Sequence, residues 1–264
     1  MRRLTLLALL ALRCAAVSEE ERLPGWGGEV PRAPATQQAP PSDARWIEPI
    51  SWRPRAFLYH QFLSRAEYTH LRELAEPRME RSMVVDPESG EGKLDDVRTS
   101  WGMFLDTAET PMVKAIEERV AEWAQVPVRN QEQLQVLRYG LGQQYSEHYD
   151  SFEHAVLDKD PRGNSQRCAT VLMFLSQVEE GGETVFPQHS EWASDSLRAA
   201  AANFSSACAK RGPAVHPRAG DAILFWSLDL NGKEDTASMH ASCPVIRGQK
   251  WTATKWMHQT EFKL

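Results

Sequence analysis

Four side chains in this sequence have the types and spacing to carry oxidative chemistry. His148 and Asp150 lie two residues apart, His240 follows 92 residues after His148, and Lys250 stands ten residues beyond His240. On a strand, residues two apart point to the same face, so an imidazole nitrogen and a carboxylate oxygen come near one point. A second imidazole from an adjacent strand completes two neutral nitrogen donors and one anionic oxygen on one side of a metal. That set suits non-haem Fe(II), because coordination positions stay open for dioxygen and a chelating acid. A lysine inside an apolar strand needs a counter-charge, and a second carboxylate on the chelating acid would supply it. A bare His-x-Asp string also occurs on solvent-facing polar strands. Met239-His240 and Gly-Gln-Lys250-Trp251 make the combination specific, and it predicts an oxygenase rather than a binding module.

The elements that must position these groups are legible from caps and periodicity. Ser64-Arg-Ala-Glu67 is a capping box, and Leu71, Leu74 and Ala75 share one face behind it. A second helix is expected from Thr110-Pro111, with Met112, Ile116, Val120 and Trp123 at helical spacing and Pro127 beyond its end. After Asn130, short runs rich in β-branched and aromatic residues at 134–139, 168–176, 221–227 and 251–258 read as strands separated by glycine turns. Helices first and strands later indicate α+β, with a double-stranded β-helix (jelly-roll) core and N-terminal supporting helices. Residues 190–210 are polar and alanine-rich, which predicts a surface insertion with some helix.

The whole chain sets outer bounds. It has 264 residues, 42% hydrophobic and 25% charged, enough for one substantial domain. Its net charge of −6 gives no general attraction to nucleic acid or anionic lipid. Residues 1–17 run from basic through apolar to small, the order of a secretory signal peptide. The apolar run at 4–12 is shorter than the roughly 20 residues a bilayer span needs. The other readings of this run are a short anchor or a buried helix, and no stable span is expected after signal removal. Residues 18–45 form a flexible proline-rich linker, and 46–264 form the folded domain. Glu261-Phe-Lys-Leu264 is not a standard endoplasmic-reticulum retention signal. With Cys14 in the signal, Cys208–Cys243 is the preferred bridge and Cys168 a buried thiol. The absence of any Cys-x-x-Cys pair argues against structural zinc. Asn203-Phe-Ser205 is a glycosylation sequon, and His60, His70, His154 and His189 read as surface residues.

The motifs taken together resemble one family. Val97-Arg-Thr-Ser100, Val136-Leu-Arg-Tyr139, His148-Tyr-Asp150, Gly181-Gly-Glu-Thr184, Gly220-Asp-Ala222 and Lys250-Trp-Thr-Ala-Thr-Lys-Trp256 occur in the order and spacing of prolyl 4-hydroxylases of the plant and green-algal type. The likeness covers roughly residues 50 to 260. The resemblance implies Fe(II) on His148, Asp150 and His240, with 2-oxoglutarate, dioxygen and L-ascorbate as the remaining cofactors. It implies that Lys250 binds the distal carboxylate of 2-oxoglutarate, with Tyr139 and Thr184 beside it. Tyr139 reads equally well as a core tyrosine. The resemblance further implies that Tyr145, Arg167, Trp256 and His258 line a groove for a proline-rich peptide. A loop at 86–98 is expected to close over that groove. The implied reaction is hydroxylation of peptidyl proline at the 4-position, coupled to decarboxylation of 2-oxoglutarate to succinate and CO2, in the endoplasmic reticulum or Golgi lumen. Alternatives are hydroxylation of another peptidyl residue or a small molecule, or an inactive barrel that binds proline-rich chains. Two positions depart from the pattern: Trp101 stands where a small residue is common, with consequences expected for the groove, and His216 stands where a lysine is common.

Overall fold

The computed structural model describes residues 45–82, 84–85, 92–93, 97–158, 160, 163–188, 190–204 and 206–264. The expected signal peptide, the linker to residue 44, most of the 86–98 loop, His189 and Ser205 of the sequon lie outside the described residues. Strands β1 (Trp46–Arg53) and β2 (Arg55–His60) form a hairpin that leads into helix α1 (Arg65–Ala75). Short strands β3 (Glu80–Arg81), β4 (Val84–Val85) and β5 (Gly92–Lys93) follow, then β6 (Trp101–Leu105) and helix α2 (Pro111–Ala124). Next come β7 (Leu134–Tyr139), β8 (Tyr145–His148), the single turn α3 (His154–Leu157), β9 (Arg167–Phe174), β10 (Glu180–Gly181), β11 (Thr184–Val185), β12 (Glu191–Trp192) and helix α4 (Asp195–Ala201). The chain ends with β13 (Ala214–Val215), β14 (Ala222–Trp226), β15 (His240–Ser242), β16 (Val245–Arg247) and β17 (Lys250–His258).

Both long helices start at the expected caps. Ser64 Oγ accepts from the Glu67 amide while the Glu67 carboxylate accepts from the Ser64 amide at 2.7 Å. Thr110 Oγ1 accepts from the Val113 amide at 3.1 Å, with Pro111 in the first turn. Val113, Ile116, Val120 and Ala124 form the buried stripe of α2.

Nine strands make one antiparallel sheet in the order β12-β1-β2-β14-β9-β17-β7-β6-β3, and four shorter ones make a second in the order β13-β11-β15-β8. The two sheets face each other as the layers of a jelly roll, and the helices cover the outside of the larger one. Period-two alternation sorts the residues of the larger sheet between these surroundings. Lys250, Thr252, Thr254 and Trp256 of β17 line a cavity between the sheets, whereas Trp251, Ala253 and Met257 pack with Leu71, Val113 and Ile116 of the helices. Thr170 and Leu172 of β9 and Tyr139 of β7 repeat the inward face; Val171, Met173 and Val136 repeat the outward one.

Lys255 breaks the apolar rule on the helix side. Its Nζ donates to Glu117 Oε1 at 2.6 Å, with the side chains 0% and 1% exposed. Glu117 Oε2 accepts from the Ala108 amide at 2.9 Å. Burial pushes the Lys255 pKa down, and the Glu117 carboxylate opposes that. The Cys208–Cys243 disulfide is present, and Cys168 is a buried free thiol whose pKa burial raises to about 11. The 190–210 segment carries α4, as expected.

His60 is a correction to the surface reading. It stacks on Trp46 at 4.2 Å, its Nε2 lies 2.8 Å from Glu48 Oε1, and its Nδ1 lies 3.3 Å from Asp221 Oδ2. Burial alone would lower its pKa, but hydrogen bonds to Asp221 and Glu48 raise it to about 9. His70 is partly buried, with Nε2 on Thr110 Oγ1 at 2.9 Å. The sequence text around these histidines carries no sign of partners so far along the chain.

The buried pair gives a stability test. Lys255→Met leaves the Glu117 carboxylate buried without a counter-charge, and a loss of about 3–5 kcal/mol is expected in urea denaturation. The Lys255→Met/Glu117→Leu double variant should recover most of that loss. Equal destabilisation in single and double variants would mean that packing, not charge, is what Lys255 contributes.

Candidate active site

The metal-ligand candidates converge. His240 in β15 sits directly opposite His148 in β8. β8 ends at His148, so Asp150 reaches the site from just past the strand rather than within it. Asp150 Oδ1 lies 3.6 Å from His148 Nε2, and Oδ2 lies 3.7 Å from His240 Nε2. One donor atom from each residue falls within 4.8 Å of the others.

The surroundings aim these donors. His148 Nδ1 lies 2.8 Å from the Ser146 carbonyl, and His240 Nδ1 lies 3.0 Å from the Ser238 carbonyl. A ring that donates through Nδ1 presents its Nε2 lone pair, so both imidazoles offer that nitrogen inward. Thr170 Oγ1 donates to Asp150 Oδ2 at 2.6 Å. Burial, then the neighbouring His240, push the His148 pKa down to about 3. Burial would raise Asp150, but His240 and His148 hold it below the usual carboxylate range. A neutral His148 and an ionised Asp150 are in the protonation states that binding a divalent metal requires.

Lys250 lines the same cavity, 1% exposed. Its Nζ donates to Ser242 Oγ at 2.8 Å and sits 5.5 Å from the Tyr139 ring, on the residue directly across from it in β7. Burial lowers its pKa to about 7, with Glu183 opposing. The hydroxyls of Thr184 and Thr252 line this cavity, and both are buried without a hydrogen-bond partner among the described residues. One ammonium and two unpaired hydroxyls, set apart from the metal candidates, fit the far carboxylate of a short dicarboxylic acid. Tyr139, Thr184 and Lys250 thus meet as expected.

A wider cleft of about 590 Å³ opens outside, sharing Arg98, Tyr145, Asp150 and Trp256 with the inner cavity. Arg167 lies on its wall with the guanidinium 3.9 Å from the Trp256 ring and 4.4 Å from the Phe152 ring. Glu132 grips Arg167 through two hydrogen bonds, at 2.5 and 2.8 Å. The Trp256 indole N–H is buried and has no partner among the described residues. Tyr145 stacks on His148 at 3.6 Å with Arg98 4.8 Å from its ring. Burial raises the Tyr145 pKa to about 12, so its hydroxyl keeps its proton.

Two expectations change here. His258 does not line the cleft. It is 1% exposed, bonded to the Ser165 carbonyl and to Glu132 Oε1, and it stands behind Arg167 and Phe152 of the cleft wall. Trp101 does not line the cleft either. Gly102, Met103 and Phe104 of β6 do, and the Trp101 ring lies 6.0 Å from Arg138, which also flanks Trp251 on the helix side of the sheet. Glu132, Thr170 and Ser242 lie outside every motif the sequence offers, and Arg98 and Thr252 lie within motif stretches that assign them no role of their own.

A model of the 2OG-Fe(II) oxygenase superfamily matches residues 134–258, from β7 through β17. "Probable prolyl 4-hydroxylase 3" of Arabidopsis thaliana is 47% identical over 228 residues, which is 83% of this chain and 75% of that protein. "Prolyl 4-hydroxylase 5" of the same plant is 46% identical, covering 83% and 74%. The chain belongs to the prolyl 4-hydroxylase family. The crystal structure of a viral collagen prolyl hydroxylase from Paramecium bursaria Chlorella virus 1, a 2OG complex, aligns with a TM-score of 0.55 at 25% identity, over 78% of this chain and 96% of that one. The family member described here is a 2-oxoglutarate-dependent dioxygenase that takes Fe(II), 2-oxoglutarate and O2, and ascorbate is typical of its family.

Two measurements test this geometry. Thr170→Val removes the hydrogen bond that orients Asp150, so Fe(II) affinity measured anaerobically against a competing chelator should fall by about 10–100-fold. Unchanged affinity would strip Thr170 of that role. The second concerns Lys250. A carboxylate beside it favours the ammonium, so 2-oxoglutarate should take up close to one proton per site at pH 8, read by calorimetry in buffers of different ionisation enthalpy. Affinity should hold below pH 7 and weaken above it by roughly tenfold per unit. Binding without proton uptake would contradict the assignment of Lys250.

Proposed function

We propose that the protein hydroxylates peptidyl proline at C4 in proline-rich chains of the secretory pathway. The observation that carries the reading is continuity: the outer cleft runs into the His148, Asp150 and His240 cavity and shares Tyr145, Asp150 and Trp256 with it. The relatives' names support the proline target.

The chain's own residues divide the work. His148, Asp150 and His240 hold iron, while Lys250, Thr184 and Thr252 receive the distal carboxylate of 2-oxoglutarate. Bound together, the metal and co-substrate supply dioxygen activation at the cost of oxidative decarboxylation to succinate and CO2. The peptide lies in the cleft as an extended polyproline II segment, which loses little entropy on docking. Trp256 and Phe152, which Arg167 contacts, supply the apolar part of the cleft wall for pyrrolidine rings, with Tyr145 fixed between His148 and Arg98 at the entrance to the inner cavity. The Trp256 indole N–H is buried and unpartnered among the described residues, a donor that a peptide carbonyl would satisfy. Arg167 keeps its plane against Trp256 because Glu132 and His258 fix it from behind. The Cys208–Cys243 disulfide supports an oxidising compartment.

The test is iron-dependent succinate release with poly-proline, Ser-Pro-rich and collagen-like peptides, followed by mass spectrometry of the peptide. One added oxygen at C4 of proline, with succinate formed in equal amount, is expected. Oxygen on lysine or on a small molecule would redirect the substrate, and peptide binding without succinate would point to an inactive barrel.

A further inference from the structure

An aromatic ring lies open on the outer cleft, apart from the residues that hold iron and 2-oxoglutarate. Phe104 of β6 lines the cleft and is 46% exposed. Strand register places it. Phe104 lies opposite Gln135 of β7, and Gln135 lies opposite Thr254 of β17. Residues opposite one another on neighbouring strands share a face, so Phe104 belongs to the face of Thr254, which lines the inner cavity. Trp256, two residues along β17 from Thr254, shares that face and lines both the cavity and the cleft. Two strand spacings and two residues of rise put the backbones of Phe104 and Trp256 about 12 Å apart.

The surroundings leave the ring available. Gln135, between the two aromatics, is 7% exposed, and its Oε1 accepts from Arg98 at 2.8 Å. Gly102 precedes Phe104 by two residues on the same face and adds no side chain beside it; a Cβ there would meet Leu137 Cδ2 at 2.7 Å. Arg78 and Arg81 also line the cleft, but both are turned to other partners. Arg78 donates to Glu109 at 2.7 Å and to the Leu74 carbonyl, and Arg81 donates to the Thr99 carbonyl at 2.7 Å. An open ring gains most from an apolar surface that covers it. A polyproline II chain returns to the same face every third residue, about 9 Å along. Two large rings with backbones about 12 Å apart can lean to that spacing. We propose that Phe104 is a specificity-determining residue: it carries a second pyrrolidine subsite, three residues along the peptide from the proline seated beside Trp256. The enzyme therefore favours prolines paired at i and i+3. Because Phe104 is two strands away from β17, it acts on peptide binding and leaves the iron and 2-oxoglutarate residues untouched.

This inference deepens the proline reading and rests on it. The experiment measures succinate release by the Fe(II)-loaded enzyme with Ala- and Ser-rich peptides about twelve residues long. Each carries one proline at a fixed position, alone or with a second proline two, three or four residues to either side, and mass spectrometry locates the added oxygen. In the unaltered enzyme the three-residue spacing should lower KM about tenfold relative to the single proline, on one side only, which also fixes the direction in which the peptide runs. Phe104→Ala should abolish that advantage and leave the single-proline KM, the 2-oxoglutarate KM and kcat within about twofold. Phe104→Tyr should retain it. No preference for the three-residue spacing in the unaltered enzyme, or a preference that survives Phe104→Ala, would overturn the proposal. Loss of the advantage in raised salt would also overturn it, in favour of a charged subsite at Arg78 and Arg81. An equal rise of the single-proline and paired-proline KM in both variants would overturn it by making Phe104 merely structural. Absence of succinate with every peptide in the unaltered enzyme would instead remove the proline reading beneath it.

Discussion

The site depends on the register between two very short strands. β8 and β15 have four and three residues, and His148 lies opposite His240 across them. Slipping one residue would send His240 to the other face and dissolve the donor set. Ladder hydrogen bonds over so few residues hold register weakly, and the fold adds pins at the end of β15. The Cys243 amide bonds the Glu183 carbonyl, Ser242 pairs with Thr184 of β11, and the disulfide ties Cys243 to Cys208. Gly181 supports this corner from β10: a Cβ there would meet the Pro244 carbonyl at 2.3 Å, and its φ of +77° suits glycine.

The larger sheet solves a different problem, that of burying cations. Lys250 and Lys255 belong to one strand, five residues apart, on opposite faces. Lys255 is paired with Glu117 and belongs to the architecture. Lys250 has a hydroxyl as its hydrogen-bond acceptor, and the two nearby threonine hydroxyls are unpartnered. Identical side chains thus serve stability and function, and what separates them is whether the counter-charge comes from the protein or from the ligand. Arg167 illustrates a third use. Its charge is neutralised by Glu132, leaving a flat, rigid guanidinium stacked between Trp256 and Phe152 as part of the cleft wall.

What was legible in the sequence follows the range of the interaction. Caps such as Ser64/Glu67 and Thr110/Pro111 are local, and the helices begin where those residues say. The strand 134–139 and the inward alternation of Lys250 through Trp256 are local patterns too. The metal trio was legible because its residue types are rare together, although Asp150 sits beyond the strand that the spacing argument assumed. The surroundings of His60, His258 and Trp101 are not local: each depends on a residue brought close by the sheets or on which face of a sheet is covered. His60 meets Asp221, His258 meets Glu132, and Trp101 turns toward Arg138. Thr170 is not legible, since a threonine on a strand has no signal that separates a ligand-orienting hydroxyl from an ordinary one.

The most direct measurement is anomalous diffraction at the iron edge from anaerobic crystals of the Fe(II)-loaded protein with 2-oxoglutarate. One iron is expected, bonded to Nε2 of His148, a carboxylate oxygen of Asp150 and Nε2 of His240, with the far carboxylate of 2-oxoglutarate on Lys250 Nζ. Iron elsewhere, or bound at the site without His240, would contradict the account.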